Sequence, residues 1–209
     1  MALTVNLTKE TDRKALSLNT TKEQNVVVKL DWDGNADLDI HALFASQTPN
    51  GAKVSDFAEV LSTYNVQRTV RGQTVGTLPR KADGTFEIFN GAMIHSRDVT
   101  NGALQADDEW IEIHADRFPA RNNLEIPLVA MIHNVPPNNK TFADIQNAQA
   151  VVTVDGTEVL RVSLKGAEFA GYNGVQLGAF TQDASGSLVF NTAVSVFNGD
   201  FNAVLEVYS

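Results

Sequence analysis

The chain has no cysteine among its 209 residues, so a disulfide framework and a thiolate metal site are both excluded, and any metal must be held by oxygen or histidine. That chemistry favours hard cations. No run approaches the ~18 apolar residues of a membrane-spanning helix, and the opening MALTVNLTKETDRK lacks the apolar core of a secretory signal, which predicts a cytoplasmic protein with no membrane span. Basic residues are the scarcer charge: 16 Lys and Arg stand against 25 Asp and Glu, for a formal net charge of −9. Nonspecific nucleic-acid binding is driven by Lys and Arg replacing counterions, so nucleic acid is not an expected partner. Catalytic signatures are missing too. There is no G-x-S-x-G elbow, no P-loop, no G-x-G-x-x-G and no H-E-x-x-H. The 4 histidines, His41, His95, His114 and His133, show no metal-ligand spacing. Paired acids such as Asp107 and Asp108 could serve acid–base chemistry, yet nothing in the sequence points to a substrate pocket. The expectation is a protein that is not an enzyme.

What is present is an ordinary globular composition, 43% hydrophobic and 20% charged, in a length that one β-sandwich can span. Short runs of strand periodicity follow one another between Gly, Asn, Asp and Pro. Leu160, Val162 and Leu164 alternate with Arg161, Ser163 and Lys165; Leu188, Phe190, Val194 and Val196 fall on one face of a later run. Further runs cover Val26 to Leu30, Leu38 to Phe44, Trp110 to His114, Glu125 to His133 and Ala150 to Val154, with Ala203, Leu205 and Val207 as a closing strand, about ten strands in all. Asp155-Gly156, Asn173-Gly174 and Asn198-Gly199 mark tight turns and hence antiparallel pairing. Short helices are expected at Thr141 to Asn147, where Thr141 and Asp144 form an imperfect capping box, and at Ser55 to Tyr64. The fold class is therefore all-β: a single antiparallel sandwich of two sheets over 1–209, with one or two short helices.

One stretch differs from its surroundings. From about Val66 to Asp83 the chain carries Arg68, Arg71, Arg80 and Lys81 among Thr, Gln and Gly, within an acidic protein. It reads as an inserted basic loop or hairpin, either a solvated excursion or a docking element for a protein partner or a second copy of the chain.

Oxygen ligands concentrate in three places: Asp31 to Asp39, His95 to Gly102, and Asp107-Asp108-Glu109, each abutting a predicted strand end. Asp37 and Asp39 alternate with Leu38, so in extended backbone their carboxylates share a face and repel unless something lies between them. Calcium suits such loops, because it takes about six to eight oxygens in flexible geometry, whereas magnesium demands a near-ideal octahedron and keeps its waters. The DWDGNADLDI segment lacks the spacing and terminal Glu of an EF-hand. Asp, Asn and Gly are also the common residues of β-turns, and spacing alone leaves that alternative open.

Leu30-Asp31-Trp32-Asp33 followed by Ala36-Asp37-Leu38-Asp39-Ile40-His41-Ala42 resembles the "GWD…FDLDAS" segment of the TerD family of tellurium-resistance and stress-response proteins. His95 to Gly102, then Ala106-Asp107-Asp108-Glu109-Trp110-Ile111, resembles its "HTGDNLTG…GDDEVI". Met131-Ile132-His133-Asn134 with Phe142 and Asn147-Ala148, and the strand Glu158 to Leu164, resemble later segments in the same order, so the likeness runs from about Val26 to the C-terminus. The resemblance implies a calcium-binding β-sandwich whose loops pool one or two calcium ions at one end. The implied ligands are Asp37, Asp39, Asp98, Asp107, Asp108 and Glu109, with Asn101 contributing from its turn. An asparagine of the family's "FYNN" strand has two equivalents here, Asn65 and Asn90, of which Asn90 is preferred. Arg97, Val99 and Asn134 depart from the pattern, and Arg97 beside Asp98 would weaken an ion site. The implied function is a calcium-binding protein of tellurite resistance or general stress response, its ion ordering loops that engage other proteins. The alternative is a structural or assembly part, for instance of a phage particle, that reuses the sandwich.

Overall fold

A computed structural model describes residues 3–5, 18–102, 109–133 and 139–209. In these, strands run in chain order as β1 (Leu3–Val5), β2 (Leu18–Thr20), β3 (Asn25–Asp33), β4 (Leu38–Leu43), β5 (Ala45–Thr48), β6 (Gly51–Lys53), β7 (Val60–Leu61), β8 (Arg68–Val70) and β9 (Gln73–Val75). They continue as β10 (Phe86–Ile88), β11 (Met93–His95), β12 (Glu109–His114), β13 (Leu124–Ile132), β14 (Gln146–Val154), β15 (Thr157–Ser163), β16 (Gly174–Gln182), β17 (Leu188–Asn191) and β18 (Ser195–Phe197). One α-helix, α1 (Phe201–Tyr208), follows.

The first sheet has the order β1-β15-β14-β3-β12-β11-β10 and the second β2-β17-β16-β13-β4-β7, with β18 on β16 and the β5–β6 hairpin on β13. Every named ladder is antiparallel except β1 on β15. The all-β sandwich read from the periodicity is the fold observed.

Alternation decides which side chains face inward. In β3, Val26, Val28, Leu30 and Trp32 are buried while Asn25, Val27, Lys29 and Asp31 are only half-covered. These meet Leu38, Ile40 and Ala42 of β4 and Ile126, Leu128, Ala130 and Ile132 of β13 in one core between the sheets. β4 and β13 are buried on their outer faces as well, because a second, smaller core of Leu43, Val60, Val129, Met131, Phe201, Val204 and Tyr208 covers them. Such doubly buried strands read as near-continuous apolar runs, as Leu124 to Ile132 does.

Four local expectations change. The closing segment is helical: Asp200 caps it by accepting from the N–H groups of Asn202 and Ala203, and Phe201, Val204 and Tyr208 recur at helical spacing onto the second core. The strand reading of Ala203, Leu205 and Val207 would have buried Val207, which is 62% exposed. The Thr141 to Asn147 helix shrinks to a 3-10 turn, Phe142–Asp144, closed by the Thr141/Asp144 capping box, since Gln146 onward is claimed by β14 pairing with β3. Ser55 to Tyr64 forms two 3-10 turns, Phe57–Glu59 and Thr63–Asn65, on either side of β7. β16 escaped the periodicity altogether: Gly174 and Gly178 interrupt it, and Gly178 is required because a Cβ there would lie 2.4 Å from the Asn191 carbonyl oxygen and 2.8 Å from the Phe190 ring.

The basic segment is a hairpin, β8–β9, separate from both sheets. Buried Asn65 anchors its root. The Asn65 amide donates to the carbonyls of Phe57 and Val60, its Oδ1 accepts from Thr77, and its own carbonyl accepts from the N–H groups of Thr77 and Leu78. Among the described residues, no helix is long and apolar enough to cross a membrane.

Candidate metal centre

The C-terminal ends of β3 and β13, the N-terminal ends of β4 and β12, and the loop after β11 meet at one end of the sandwich, as their antiparallel registers require. Gly34 and Gly102 tie two of these loops together through an isolated bridge, with the Gly102 N–H donating to the Gly34 carbonyl at 3.0 Å. No side chain fits at Gly102: a Cβ would lie 2.2 Å from the Trp32 carbonyl oxygen and 2.6 Å from its indole ring. Trp32 in turn donates its indole N–H to the Ala36 carbonyl at 2.8 Å, fixing the turn that delivers Asp37.

The result is a triad. One carboxylate oxygen from each of Asp37, Asp39 and Asp98 lies within 4.8 Å of the others. The three border a cleft of about 410 Å³ that Thr63, Tyr64, Thr100 and His133 also line. Asp39 is only 3% exposed; its Oδ1 accepts the Thr63 hydroxyl at 2.9 Å, while its Oδ2 is buried and makes no hydrogen bond among the described residues. Asp37 Oδ1 is likewise buried and unpartnered among the described residues. Burial first, and then the Asp37 charge, push Asp39 up to about 7; burial and Asp98 raise Asp37, with His133 opposing. Orphaned buried acceptors are costly, and both of these belong to residues of the triad. An all-oxygen set of carboxylates fits a hard divalent cation and offers nothing to a soft metal.

Beside the triad lies a structural acid. Glu109 is completely buried and accepts the Ile40 N–H on Oε2 at 2.7 Å, while His95 Nε2 lies 2.8 Å from the carbonyl oxygen of the same residue. The two side chains thus clamp one residue of β4 from the opposite sheet. Burial, followed by the charges of Asp39, Asp98 and Asp37, raises the Glu109 pKa well above the ordinary range, and its Oε1 has no partner among the described residues.

Among the other expected ligands, Asn101 is exposed next to the Gly102 bridge and does not line the cleft. Asn90 stands at the opposite end of the sandwich, in the turn between β10 and β11 at a φ of 55°, and takes no part in the cluster. Its competitor Asn65 is the hairpin anchor, and the residue before it, Tyr64, is the one that reaches the cleft, where its hydroxyl contacts His133 Nδ1. Asp107, Asp108 and Asn134 lie outside the described residues. Arg97, adjacent to Asp98 in sequence, is not a lining residue, whereas Arg68 and Arg80 are. Arg71 sits at the exposed hairpin tip, and Lys81 pairs with Glu87. Thr63, Tyr64 and Thr100 carried no sequence signal for ion binding; only the doubled Tyr-Asn and Phe-Asn pattern hinted at Tyr64.

No family model matches the chain. Among curated proteins, General stress protein 16U of Bacillus subtilis (strain 168) is 31% identical over 81 residues, 38% of this chain; the match spans 42% of that protein's length. Among solved structures, a homologue of telluride resistance protein (TerD) from Streptomyces coelicolor A3(2) superimposes with a TM-score of 0.62 at 23% identity, covering 90% of this chain and 96% of that one. A second, a protein of unknown function, gives 0.64 at 16% identity over 90% of this chain and 99% of that one. The chain thus shares its fold almost end to end with a TerD homologue, and part of its sequence with a bacterial stress protein.

Proposed function

We propose that this protein is a calcium-binding module of the stress-response type rather than an enzyme, with the ion held by Asp37, Asp39 and Asp98. The observation that carries the reading is the convergence of the Asp37, Asp39 and Asp98 carboxylates within 4.8 Å on one cleft, with a buried oxygen on each of Asp37 and Asp39 that makes no hydrogen bond among the described residues. A divalent cation offsets two of the three mutually repelling negative charges and gives the unpartnered oxygens a ligand. Because the triad draws on two sequence-distant loops, the ion binds only the folded chain and stabilises it by mass action. In cells it would order the loops at this end of the sandwich for contact with other proteins. The likenesses to a TerD homologue and to a general stress protein support the stress-response context.

Isothermal titration of chelator-stripped protein with calcium tests the reading directly. Saturable binding is expected, abolished in Asp37→Ala. Heat that is absent from the parent, or unchanged in the variant, would overturn it.

A further inference from the structure

Acids do not line the cleft alone. Arg68 and Arg80, both from the basic segment, stand on its wall together with Gln67. Arg68 is pinned: its Nη1 donates to the Tyr64 carbonyl at 2.8 Å and to the Val66 carbonyl at 3.4 Å. That leaves Nε and Nη2, the donors of a side-on bidentate contact, uncommitted among the described residues. Arg80 forms no hydrogen bond or ion pair among them. Two arginines and three aspartates therefore line one cleft of about 410 Å³, and among the described residues no Arg–Asp ion pair closes between them. Arg68 is kept from the triad by its backbone contacts, and the gap is the size of a small-molecule cleft, ~300–1,000 Å³.

Charge and valence say what the gap accepts. A divalent cation leaves one negative charge on the triad, and the two arginines then make the loaded cleft net positive. Calcium takes about six to eight oxygens, and Asp39 has already committed Oδ1 to Thr63, so the ion keeps coordination positions open towards the cleft. An oxygen donor that is also an anion satisfies both the open positions and the guanidinium forks.

We propose that the cleft binds a small oxyanion, a phosphoryl or carboxylate group, whose oxygens bridge the cation held by Asp37, Asp39 and Asp98 to the guanidiniums of Arg68 and Arg80. This inference rests on the calcium reading above. The basic segment thereby gains a role, since the hairpin root carries the second half of a composite ligand site.

The probes are inorganic phosphate and acetate, added to stripped protein with and without calcium at concentrations below calcium phosphate precipitation, and followed by calorimetry. The calcium-only titration comes first; failure there removes the calcium reading and this inference together. If calcium binds, at least one probe is expected to tighten it about fivefold or more, and calcium must tighten that probe equally. Response to phosphate alone assigns a phosphoryl ligand, and response to acetate alone a carboxylate. Arg80→Ala breaks no hydrogen bond or ion pair among the described residues and removes a positive charge from the cleft wall, so it should bind calcium at least as tightly as the parent while losing most of the oxyanion effect. Calcium binding that neither probe alters, or an oxyanion effect that survives in both Arg80→Ala and Arg68→Ala, overturns the proposal and leaves the calcium reading standing.

Discussion

Asp39 receives the Thr63 hydroxyl on Oδ1 and nothing among the described residues on Oδ2, while burial and the Asp37 charge push its pKa up to about 7. An aspartate ordinarily titrates at 3.8, so between that pH and about 7 the folded chain binds a proton that the unfolded chain has released. This contribution to stability is fully present below the lower value and is lost as pH rises towards the upper one. The gap amounts to a few kcal/mol, on the order of 1.4 kcal/mol per pKa unit. Asp39→Asn keeps the shape and the Thr63 bond while removing the charge. In chelator, its melting temperature should exceed that of the parent by a margin that grows from pH 5 to pH 8. In calcium the order should reverse, because the variant has lost a ligand. A margin independent of pH in chelator would contradict the placement of this carboxylate. Glu109 behaves differently at the same scale: it spends one oxygen on the Ile40 N–H and so serves the packing of the sheets as well as the electrostatics of the site.

At the scale of elements, the site is made by loops held in register rather than by any single strand. The start of β4 presents Asp37 and Asp39 by simple alternation, but Asp98 arrives only because the loop after β11 is drawn in by the Gly34–Gly102 bridge. Gly102→Ala would press its Cβ against the Trp32 backbone, which cannot yield as a flexible side chain could. The expected outcome is a stability loss of about 1–3 kcal/mol by chemical denaturation, accompanied by a calcium affinity weakened at least tenfold. Destabilisation with calcium affinity intact would mean that the bridge serves the fold and not the triad. α1 illustrates how an element can defy its own alternation: Ala203, Leu205 and Val207 mimic a strand, yet the Asp200 cap and the apolar stripe of Phe201, Val204 and Tyr208 are satisfied only by a helix.

For the whole molecule, the hairpin β8–β9 is the part least integrated with the sandwich. It joins neither sheet, and its residues from Arg68 to Thr74 are exposed. Replacing Thr69–Thr74 with an Asn-Gly turn keeps Arg68, Arg80 and the Asn65 anchor and removes the tip. The variant should melt within a few degrees of the parent and bind calcium as the parent does. Light scattering on the two proteins then tests self-association through the tip: a parent oligomer that dissociates in the variant would favour the assembly role over the stress-response one.

Much of this architecture was legible in local patterns. Side chains alternate across a strand whatever surrounds it, so Val26, Val28, Leu30 and Trp32 announced an inward face, and Asp37 and Asp39 announced a shared one. Asp155-Gly156, with φ values of 48° and 75°, announced the hairpin between β14 and β15 because few residues tolerate that geometry. The sequence by itself thus determined the fold class, the direction of most strands and the Asp37–Asp39 part of the acidic triad. The family resemblance grouped Asp98 with that pair, and the fold brings the three carboxylates together; tertiary structure alone decided that Asn90 stands at the far end and that Arg68 and Arg80 line the same cleft. Periodicity reports which way a side chain faces relative to its neighbours, whereas the meeting of residues from separate loops depends on strand pairing and on close approaches such as that at Gly102, which no local pattern encodes.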